Sequence, residues 1–265
     1  MRWTPGPRSE DLEDRRGQGF GGLGVGRLGV GGVVILLVLS LIFKRDFFSL
    51  ISGGQAAPAG AVASTPEEEH LVDFVSFVFD TTQSTWRAIL AQRAGGVRYQ
   101  DAKLVLFRDG VQSACGIAQS ATGPFYCPSD HKVYIDLGFY DELRSRFGAP
   151  GDFAQAYVLA HEVGHHVQTL LGNDFGTSNA GSVRRELQAD CYAGIWGSFM
   201  QREGVLEPGD VEEGLGAAAA VGDDRLQRMS TGTVSPETFT HGTSAQRSSW
   251  FHRGLESGRV ESCQT

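Results

Sequence analysis

The chain has 265 residues, enough for one large domain or two small ones, and for a core that needs no disulfide or metal. Its hydrophobic fraction of 41% and charged fraction of 20% exclude a chain that is disordered throughout. The 23 Lys and Arg against 31 Asp and Glu give a formal net charge of -8. Nucleic-acid binding typically requires a basic surface, so we expect no nucleic-acid partner.

The N-terminal part of the chain carries the pattern of a membrane anchor. Residues 1–21 are polar, rich in Gly and charged, and we predict that they form a disordered tail. Residues 22–43 are apolar apart from Arg27 and are predicted to cross the lipid bilayer as one helix. The alternative is a cleaved secretory signal, which is disfavoured because the first Ala-x-Ala site lies about 18 residues past the apolar run.

Charge around the apolar stretch predicts its orientation. Five basic residues precede its uncharged core and two follow it, which places the N-terminus in the cytoplasm. Residues 44–64, rich in Gly, Ala and Ser, are predicted to be a linker. The predicted protein is therefore a single-pass membrane protein with residues 65–265 outside the cytoplasm.

The cysteine pattern suits two disulfide bonds. The chain has four cysteines, an even number, and no CxxC pair that would indicate a zinc knuckle. Cys115 and Cys127 are close in sequence, and Cys263 near the C-terminus suits a bridge to Cys191. We predict these two pairs, and four buried free thiols are the alternative.

Residues 65–265 read mainly as helices. The capping pattern Thr65-Pro66-Glu67-Glu68 is typical of a helix start. The remaining predictions, in chain order, are strands over 103–107 and 133–137 and helices over 140–147, 153–171, 182–200, about 210–229 and from Thr243. The fold class is α+β, mainly helical, with a few strands ahead of the central helix pair and a single domain.

The central helix contains the pattern His161-Glu162-Val163-Gly164-His165. Two histidines four apart share one helix face and can bind a single zinc ion. Glu162 lies about 100° round the helix from His161, so its carboxylate can reach a zinc-bound water without binding the metal. A chance match on a surface helix is disfavoured because apolar residues surround the motif, and a buried His pair without a ligand would be costly.

The next helix offers a third zinc ligand. Glu186 and Asp190 are one turn apart on one face, 21 residues after His165. We predict that Glu186 binds the metal and that Asp190 accepts a hydrogen bond from a ligand histidine. The small residues Ala193 and Gly197 continue this face and would let the two helices approach closely. A solvated acid pair is the alternative for Glu186 and Asp190.

A zinc hydrolase also needs a hydrogen-bond donor for the oxyanion that forms when water attacks a carbonyl. The candidate is His241, in a loop directly before a helix, and a purely structural loop histidine is an equal alternative. His166 is predicted to point away from the ligand face. Asp223-Asp224-Arg225 is typical of a solvated helix face, and a further charged functional cluster is the alternative.

Five separated motifs resemble the bacterial family described as "putative neutral zinc metallopeptidases". These motifs cover residues 115–128, 161–165, 186–190, 222–225 and 240–247. Members of that family have a Gly-rich N-terminal tail and one membrane anchor, which implies a location in the bacterial inner (plasma) membrane. More remotely, the site resembles that of gluzincins such as the thermolysin type.

The resemblance implies a zincin-like metallopeptidase fold with Zn2+ as cofactor. In gluzincins the two histidines of the motif and a downstream Glu bind zinc, and an Asp four residues later orients a histidine. Carried over, the metal ligands are His161, His165 and Glu186, the orienting carboxylate is Asp190, and the general base is Glu162.

The predicted function is therefore a membrane-anchored zinc metallopeptidase that hydrolyses peptide bonds in a peptide or protein substrate. Glu162 is the predicted base, and His241 the predicted oxyanion donor. The strand over 133–137 could pair with an extended substrate, although a strand in the core is the more common outcome. The alternatives are a non-catalytic, zinc-stabilised membrane interaction protein and a zinc hydrolase of a non-peptide amide.

Overall fold

The computed structural model describes residues 1–18, 64–92, 96–119 and 123–265. The strands are β1 (Leu12–Asp14), β2 (Lys103–Phe107), β3 (Gly110–Ser113), β4 (Gly116–Gln119), β5 (Phe125–Cys127) and β6 (Lys132–Asp136). The helices are α1 (Pro66–Gln92), α2 (Gly138–Ser145), α3 (Asp152–Leu171), α4 (Asn179–Arg202), α5 (Asp210–Ala220), α6 (Asp223–Thr231) and α7 (Ser244–Ser257). Short 3-10 helices cover Pro236–Thr238 and Val260–Cys263.

The strands form one four-stranded sheet and one hairpin. The sheet has the order β1-β2-β6-β5, in which β5 runs antiparallel to β6 and the other neighbours are parallel. β3 and β4 form the hairpin. Because β6 is hydrogen-bonded to β2 on one side and to β5 on the other, it is a core strand, the more common of the two outcomes named for it, and it offers no edge to an extended substrate. The outer strand on that side is β5.

The capping signals of the sequence locate three helix ends. α1 begins after Thr65, whose hydroxyl accepts a hydrogen bond from the Glu68 amide at 3.2 Å. α7 begins after Thr243, which forms both bonds of a capping box with Gln246. α3 ends at Gly172, which adopts the left-handed conformation that closes many helices.

Two helix boundaries differ from the prediction. The side chain that caps α4 is Ser178, which lies about one turn ahead of the predicted Ser182. The predicted helix over 210–229 is divided into α5 and α6 at Val221 and Gly222. A Cβ atom on Gly222 would lie 2.3 Å from the Ser244 amide nitrogen, so the chain turns here to let the start of α7 approach.

Helix α3 lies in the middle of the domain. It packs against α1, α4 and α5, and most of its side chains are buried. Phe153, in its first turn, stacks on Trp196 of α4 and packs against Phe251 of α7. The helix that carries the histidine motif is thus held on several sides by the core.

Residues 1–18 pack against the rest of the domain, which corrects the prediction that they form part of a disordered tail. β1 pairs with β2 in parallel register, from Leu12 opposite Leu104 to Asp14 opposite Leu106. Trp3 packs against Phe74 of α1 with ring centroids 5.3 Å apart. The segment carries few apolar residues, but backbone pairing and ion pairs with the body hold it in place.

The predicted membrane anchor is not supported. It falls on residues 22–43, which lie outside the described residues, as does nearly all of the predicted linker over 44–64. Within the described ranges, no helix has both the length and the apolar character needed to cross a bilayer. The fold is therefore corrected to a mainly helical α+β domain in which the N-terminal residues take part.

The predicted single-pass topology is wrong for a geometric reason as well. It places residues 1–21 and 65–265 on opposite sides of the membrane, whose apolar core is about 30 Å thick. β1 and β2 are hydrogen-bonded neighbours, and adjacent strands lie only about 4.8 Å apart. We therefore do not retain a location in the bacterial plasma membrane with this topology.

Both predicted disulfide bonds are present, and no described cysteine is free. Cys115, in the turn between β3 and β4, is bonded to Cys127 of β5. Cys191 of α4 is bonded to Cys263 in the last 3-10 helix. The first bond fastens the hairpin to the sheet, and the second fastens the C-terminal end to α4.

We expect the two disulfides to stabilise the domain unequally. Their sequence separations are 12 and 72 residues, and loop-closure entropy predicts about 3 kcal/mol for the shorter loop and about 4 kcal/mol for the longer. Urea unfolding of the Cys115→Ser/Cys127→Ser and Cys191→Ser/Cys263→Ser variants measures these losses. Four thiols titrating in unreduced, denatured wild-type protein would contradict the pairing.

Candidate metal centre and catalytic site

The crossing of α3 and α4 brings the three predicted metal ligands together. One ligand atom from each of His161, His165 and Glu186 lies within 4.8 Å of the other two. Nε2 of His161 is 3.2 Å from Glu186 Oε2, and Nε2 of His165 is 3.5 Å from Glu186 Oε1. Two imidazole nitrogens and one carboxylate form a donor set that zinc commonly uses, so these residues fit the ion that the sequence implies.

The outer ring nitrogen of each histidine has its own acceptor. Nδ1 of His161 lies 2.8 Å from Asp190 Oδ1, and Nδ1 of His165 lies 2.9 Å from Gln168 Oε1. The Gln168 amide donates in turn to the Arg185 carbonyl at 2.7 Å, which sets its orientation. Both rings therefore keep Nε2 for a metal, an arrangement that outer hydrogen bonds produce in many zinc sites. The sequence pointed to Asp190 but not to Gln168.

Asp190 is fully buried and carries three further hydrogen bonds. Arg247 of α7 donates through Nε to Oδ2 at 2.9 Å and through Nη2 to Oδ1 at 2.8 Å, and the Tyr157 hydroxyl donates to Oδ1 at 2.5 Å. Burial acts to raise the pKa of Asp190, but Arg247 and His161 outweigh it and hold the pKa below its usual value. The carboxylate is therefore ionised and can fix the His161 tautomer.

Sequence reasoning did not assign a role to Arg247 or Tyr157. Arg247 belongs to the 240–247 motif, and its position one turn into a predicted helix was visible. Its contact with Asp190 depends on how α7 crosses α4, which no sequence spacing indicates.

The two histidines and the two carboxylates of this site lie in ion-pair contact. Burial acts to lower the pKa of His161, but Asp190 and Glu186 raise it to about 9. Burial acts to raise the pKa of Glu186, but His165 and His161 lower it well below its usual range. A cation at this site must therefore displace a proton from His161 at neutral pH.

Glu162 lies beside the ligand group without belonging to it. Its side chain lines the same cavity as the two histidines and contributes no atom to the three-ligand cluster. The residue is 8% exposed, and burial raises the pKa of its carboxyl. A carboxylate with a raised pKa near a metal site is suited to exchange protons near neutral pH.

His241 lines the cavity from the loop before α7, and Asp223 holds it there. Nδ1 of His241 is 3.1 Å from Asp223 Oδ1, while Asp223 Oδ2 accepts the backbone N–H groups of Thr240, His241 and Gly242. The hydrogen bond to Asp223 raises the pKa of His241. Asp223 therefore orients the imidazole.

The expectation that Asp223, Asp224 and Arg225 form a solvated helix face is wrong. Asp223 is 7% exposed, and Asp224 accepts hydrogen bonds from the amide and hydroxyl of Ser244. Arg225 donates to the Phe147 carbonyl at 2.7 Å. The first turn of α6 packs against the start of α7, so its carboxylates bind backbone N–H groups instead of water.

His166 points away from the ligands, as predicted, but it is fully buried. Its Nε2 is 2.7 Å from the Gln100 carbonyl, so this nitrogen carries the proton, and Nδ1 accepts from the Tyr126 hydroxyl at 3.0 Å. Tyr126 belongs to β5 and lines the cavity. His166 thus ties the outer strand of the sheet to α3.

The site opens into a cavity of about 700 Å³. Besides the residues above, its walls carry apolar side chains, which are Pro124, Phe125, Phe139, Val158, Val221 and Leu226. A second cavity of about 900 Å³, between Trp3 and α2, contains none of the predicted site residues. The metal cluster, Glu162 and His241 therefore share one open cleft beside β5.

Comparison with known proteins identifies relatives and a family. The chain is 47% identical over 285 residues to the uncharacterized protein YpfJ of Escherichia coli K12, covering 100% of this chain and 98% of that protein. It is 43% identical over 203 residues to the uncharacterized protein Rv2575 of Mycobacterium tuberculosis H37Rv, covering 70% and 67%. No solved structure matches the chain. One family matches over residues 1–265, and the chain therefore belongs to it, the family described as "Putative neutral zinc metallopeptidase".

Proposed function

We propose that the protein is a zinc-dependent peptidase whose metal ligands are His161, His165 and Glu186. One observation carries the proposal: the three-ligand cluster and the buried Glu162 carboxylate line the same open cleft. Catalytic zinc sites typically have three protein ligands and an open position, whereas structural sites close with four. Within the described residues the cluster has three members, which favours chemistry over the non-catalytic alternative.

When bound at this cluster, zinc supplies a Lewis acid that activates water and polarises the carbonyl under attack. The chain's own residues hold that centre and move protons. Asp190 and Gln168 orient the two histidines, and Glu186 balances the cation's charge. Glu162 accepts a proton from the attacking water at its carboxylate and passes it to the leaving amine.

His241 is the proposed donor to the oxyanion. Its Nδ1 faces Asp223, which leaves Nε2 for the substrate side of the cleft. The raised pKa of His241 favours a charged donor, and charge-assisted hydrogen bonds are about twice as strong as neutral ones. Asp223 acts through His241 as a positioning residue.

A peptide substrate suits this cleft better than a small amide. Among the described residues, β5 pairs with β6 on one side and lines the cleft with Phe125 and Tyr126. An outer strand can pair with an extended peptide through backbone hydrogen bonds. The apolar wall formed by Phe139, Val158 and Leu226 offers a surface for an apolar side chain of that peptide.

Zinc binding should be stoichiometric and pH-dependent. We expect one zinc ion per chain, and none in the His161→Ala/His165→Ala variant. Gln168→Ala should lower the affinity for zinc by about 10–100-fold, and Glu186→Ala by more, because Gln168 only orients a ligand.

Zinc affinity should also depend on pH. Since the pKa of His161 without a bound metal is about 9, the apparent affinity for zinc should fall about tenfold for each pH unit below pH 9. Chelator competition measures both effects, and full zinc retention in the double variant would refute the ligand set.

Removal of the base should stop turnover without removing zinc. Glu162→Gln should lower kcat by about 10²–10⁴-fold, the usual scale of general acid–base catalysis. Zinc content should be unchanged, because Glu162 contributes no ligand atom. The matched control is Glu142→Gln on α2, whose side chain is 49% exposed.

Assays with a proteome-derived peptide library measure this difference. A Glu162→Gln variant that complements a deletion strain, together with a wild type that cleaves nothing, would favour the non-catalytic alternative.

The pH dependence of kcat/KM should reflect the ionisation of His241. His241→Phe should lower kcat by about 10²–10³-fold with zinc retained. The interaction with Asp223 raises the pKa of His241, so the donor loses its proton at a higher pH than usual. Asp223→Asn should therefore move the alkaline limb of kcat/KM to lower pH.

Asp224→Asn is the control for this shift, because Asp224 bonds to Ser244 and not to His241. An alkaline limb that stays in place in Asp223→Asn would argue against His241 as the charged donor.

A further inference from the structure

The first 16 residues, here termed the N-terminal segment, contact the domain at both ends and in the middle. At one end, Trp3 packs on α1 with ring centroids 4.8 Å from His70, 5.3 Å from Phe74 and 6.0 Å from Phe77. The Arg2 amide donates to the Val205 carbonyl at 2.7 Å, beyond the end of α4. This end therefore touches two separate helical regions.

The middle of the segment binds the acidic face of α1. Arg8 forms ion pairs with Glu69 and Asp73. The Ser9 amide donates to the Ser76 hydroxyl, and the Ser9 hydroxyl donates to Asp80. Ser9 is 8% exposed, so these hydrogen bonds are shielded from water, which raises the cost of leaving their partners unsatisfied.

The far end completes the sheet. Backbone hydrogen bonds join the Leu104 amide to the Asp11 carbonyl at 2.9 Å and the Arg15 amide to the Leu106 carbonyl at 2.8 Å. Lys103 and Lys132 each lie 2.6 Å from a carboxylate of the segment, Asp11 and Glu13 respectively. β1 thus satisfies the edge of β2, which would otherwise expose unpaired backbone groups.

Arg16 fastens the end of β1 to α1. Its guanidinium is 7% exposed and contacts Asp14, Glu68 and Glu69 at 2.6–3.0 Å. By contrast, the Arg2 side chain is 71% exposed, and among the described residues its ion-pair partner is Glu207 at 3.3 Å. Replacing a buried arginine that has two carboxylate partners across an interface costs far more than replacing an exposed arginine with one partner.

We propose that the N-terminal segment binds the body of the domain, residues 64–265, through this interface alone. The covalent connection through residues 19–63 is not what holds it, because the backbone pairing of β1 with β2 and the buried contacts of Ser9 and Arg16 join the segment to the body directly. Two consequences follow. The segment stays bound when the connection is cut, and it lies in the same compartment as the body.

The first consequence is tested with the full chain carrying a site-specific protease site at Gly53-Gly54. After complete cleavage, shown on a denaturing gel, the wild-type fragment should co-elute with the body in a 1:1 ratio at micromolar concentration. Arg16→Glu should increase the released fraction at least tenfold. The matched control Arg2→Glu should behave as wild type, because that side chain is exposed.

Two measurements keep this test decisive. Thermal unfolding before cleavage shows whether Arg16→Glu is folded, and Trp3→Ala, at the other end of the segment, should also increase release. Release of the wild-type fragment, or equal release from Arg16→Glu and Arg2→Glu, would overturn the proposal. None of these readouts depends on peptidase activity, so they stand apart from the proposed function.

The second consequence is tested in bacterial cells with single introduced thiols. Arg2→Cys and Asp141→Cys replace side chains that are 71% and 75% exposed, one in the segment and one in the body. Both should react with a membrane-impermeant maleimide in intact cells, or both only after permeabilisation. Labelling of one in intact cells and of the other only after permeabilisation would overturn the shared compartment.

Discussion

The close approach of three helices is the constraint on which the site depends. A Cβ atom on Gly164 of α3 would lie 3.0 Å from the Ala189 carbonyl oxygen of α4. The crossing of α4 and α7 is tighter. A Cβ atom on Gly254 would lie 1.9 Å from the carbonyl oxygen of Cys191, and a Cβ atom on Gly194 would lie 2.0 Å from the carbonyl oxygen of Phe251. Helix axes normally lie 8–10 Å apart, and glycines at the crossing allow the shorter distance. Larger residues would separate the carboxylates of α4 from the histidines of α3 and the arginine of α7.

Charge balance explains how this contact tolerates so many buried ionisable groups. An isolated buried charge costs several kcal/mol, and loss of one partner from a buried pair costs about 3–5 kcal/mol. Around His161 the signs alternate from Arg247 through Asp190 to the histidine and on to Glu186. Each group therefore has a neighbour of opposite charge. The same series of ion pairs holds a ligand histidine in one tautomer and reduces the free-energy cost of burying it.

The two outer strands of the sheet have different surroundings. β1 belongs to the N-terminal segment and covers the edge of β2, far from the metal cluster. β5 lies against the cleft, and the hydroxyl of its Tyr126 is hydrogen-bonded to His166 on α3, the helix that carries the histidine motif. A disulfide at Cys127 fastens the same strand to the hairpin. The N-terminal segment thus covers one edge of the sheet, while the outer strand at the other edge lines the cleft.

The sequence by itself determined the local chemistry of this protein. A four-residue spacing on a helix places His161 and His165 on one face, and capping residues mark helix ends, because both effects act within a turn or two. Only the tertiary structure decided which distant groups meet. Three contacts join residues that are 18 to about 90 positions apart in the sequence, and no local pattern encodes them. They are the hydrogen bonds of Arg247 to Asp190, those of Asp223 to the loop of His241, and the pairing of β1 with β2. Gly197 of α4 faces Phe153 of α3, as predicted, but it also faces Leu255 of α7, which the sequence did not indicate. The charged N-terminal residues read as disordered for the same reason: their partners are carboxylates of α1 and lysines of β2 and β6, which only the folded chain brings within reach.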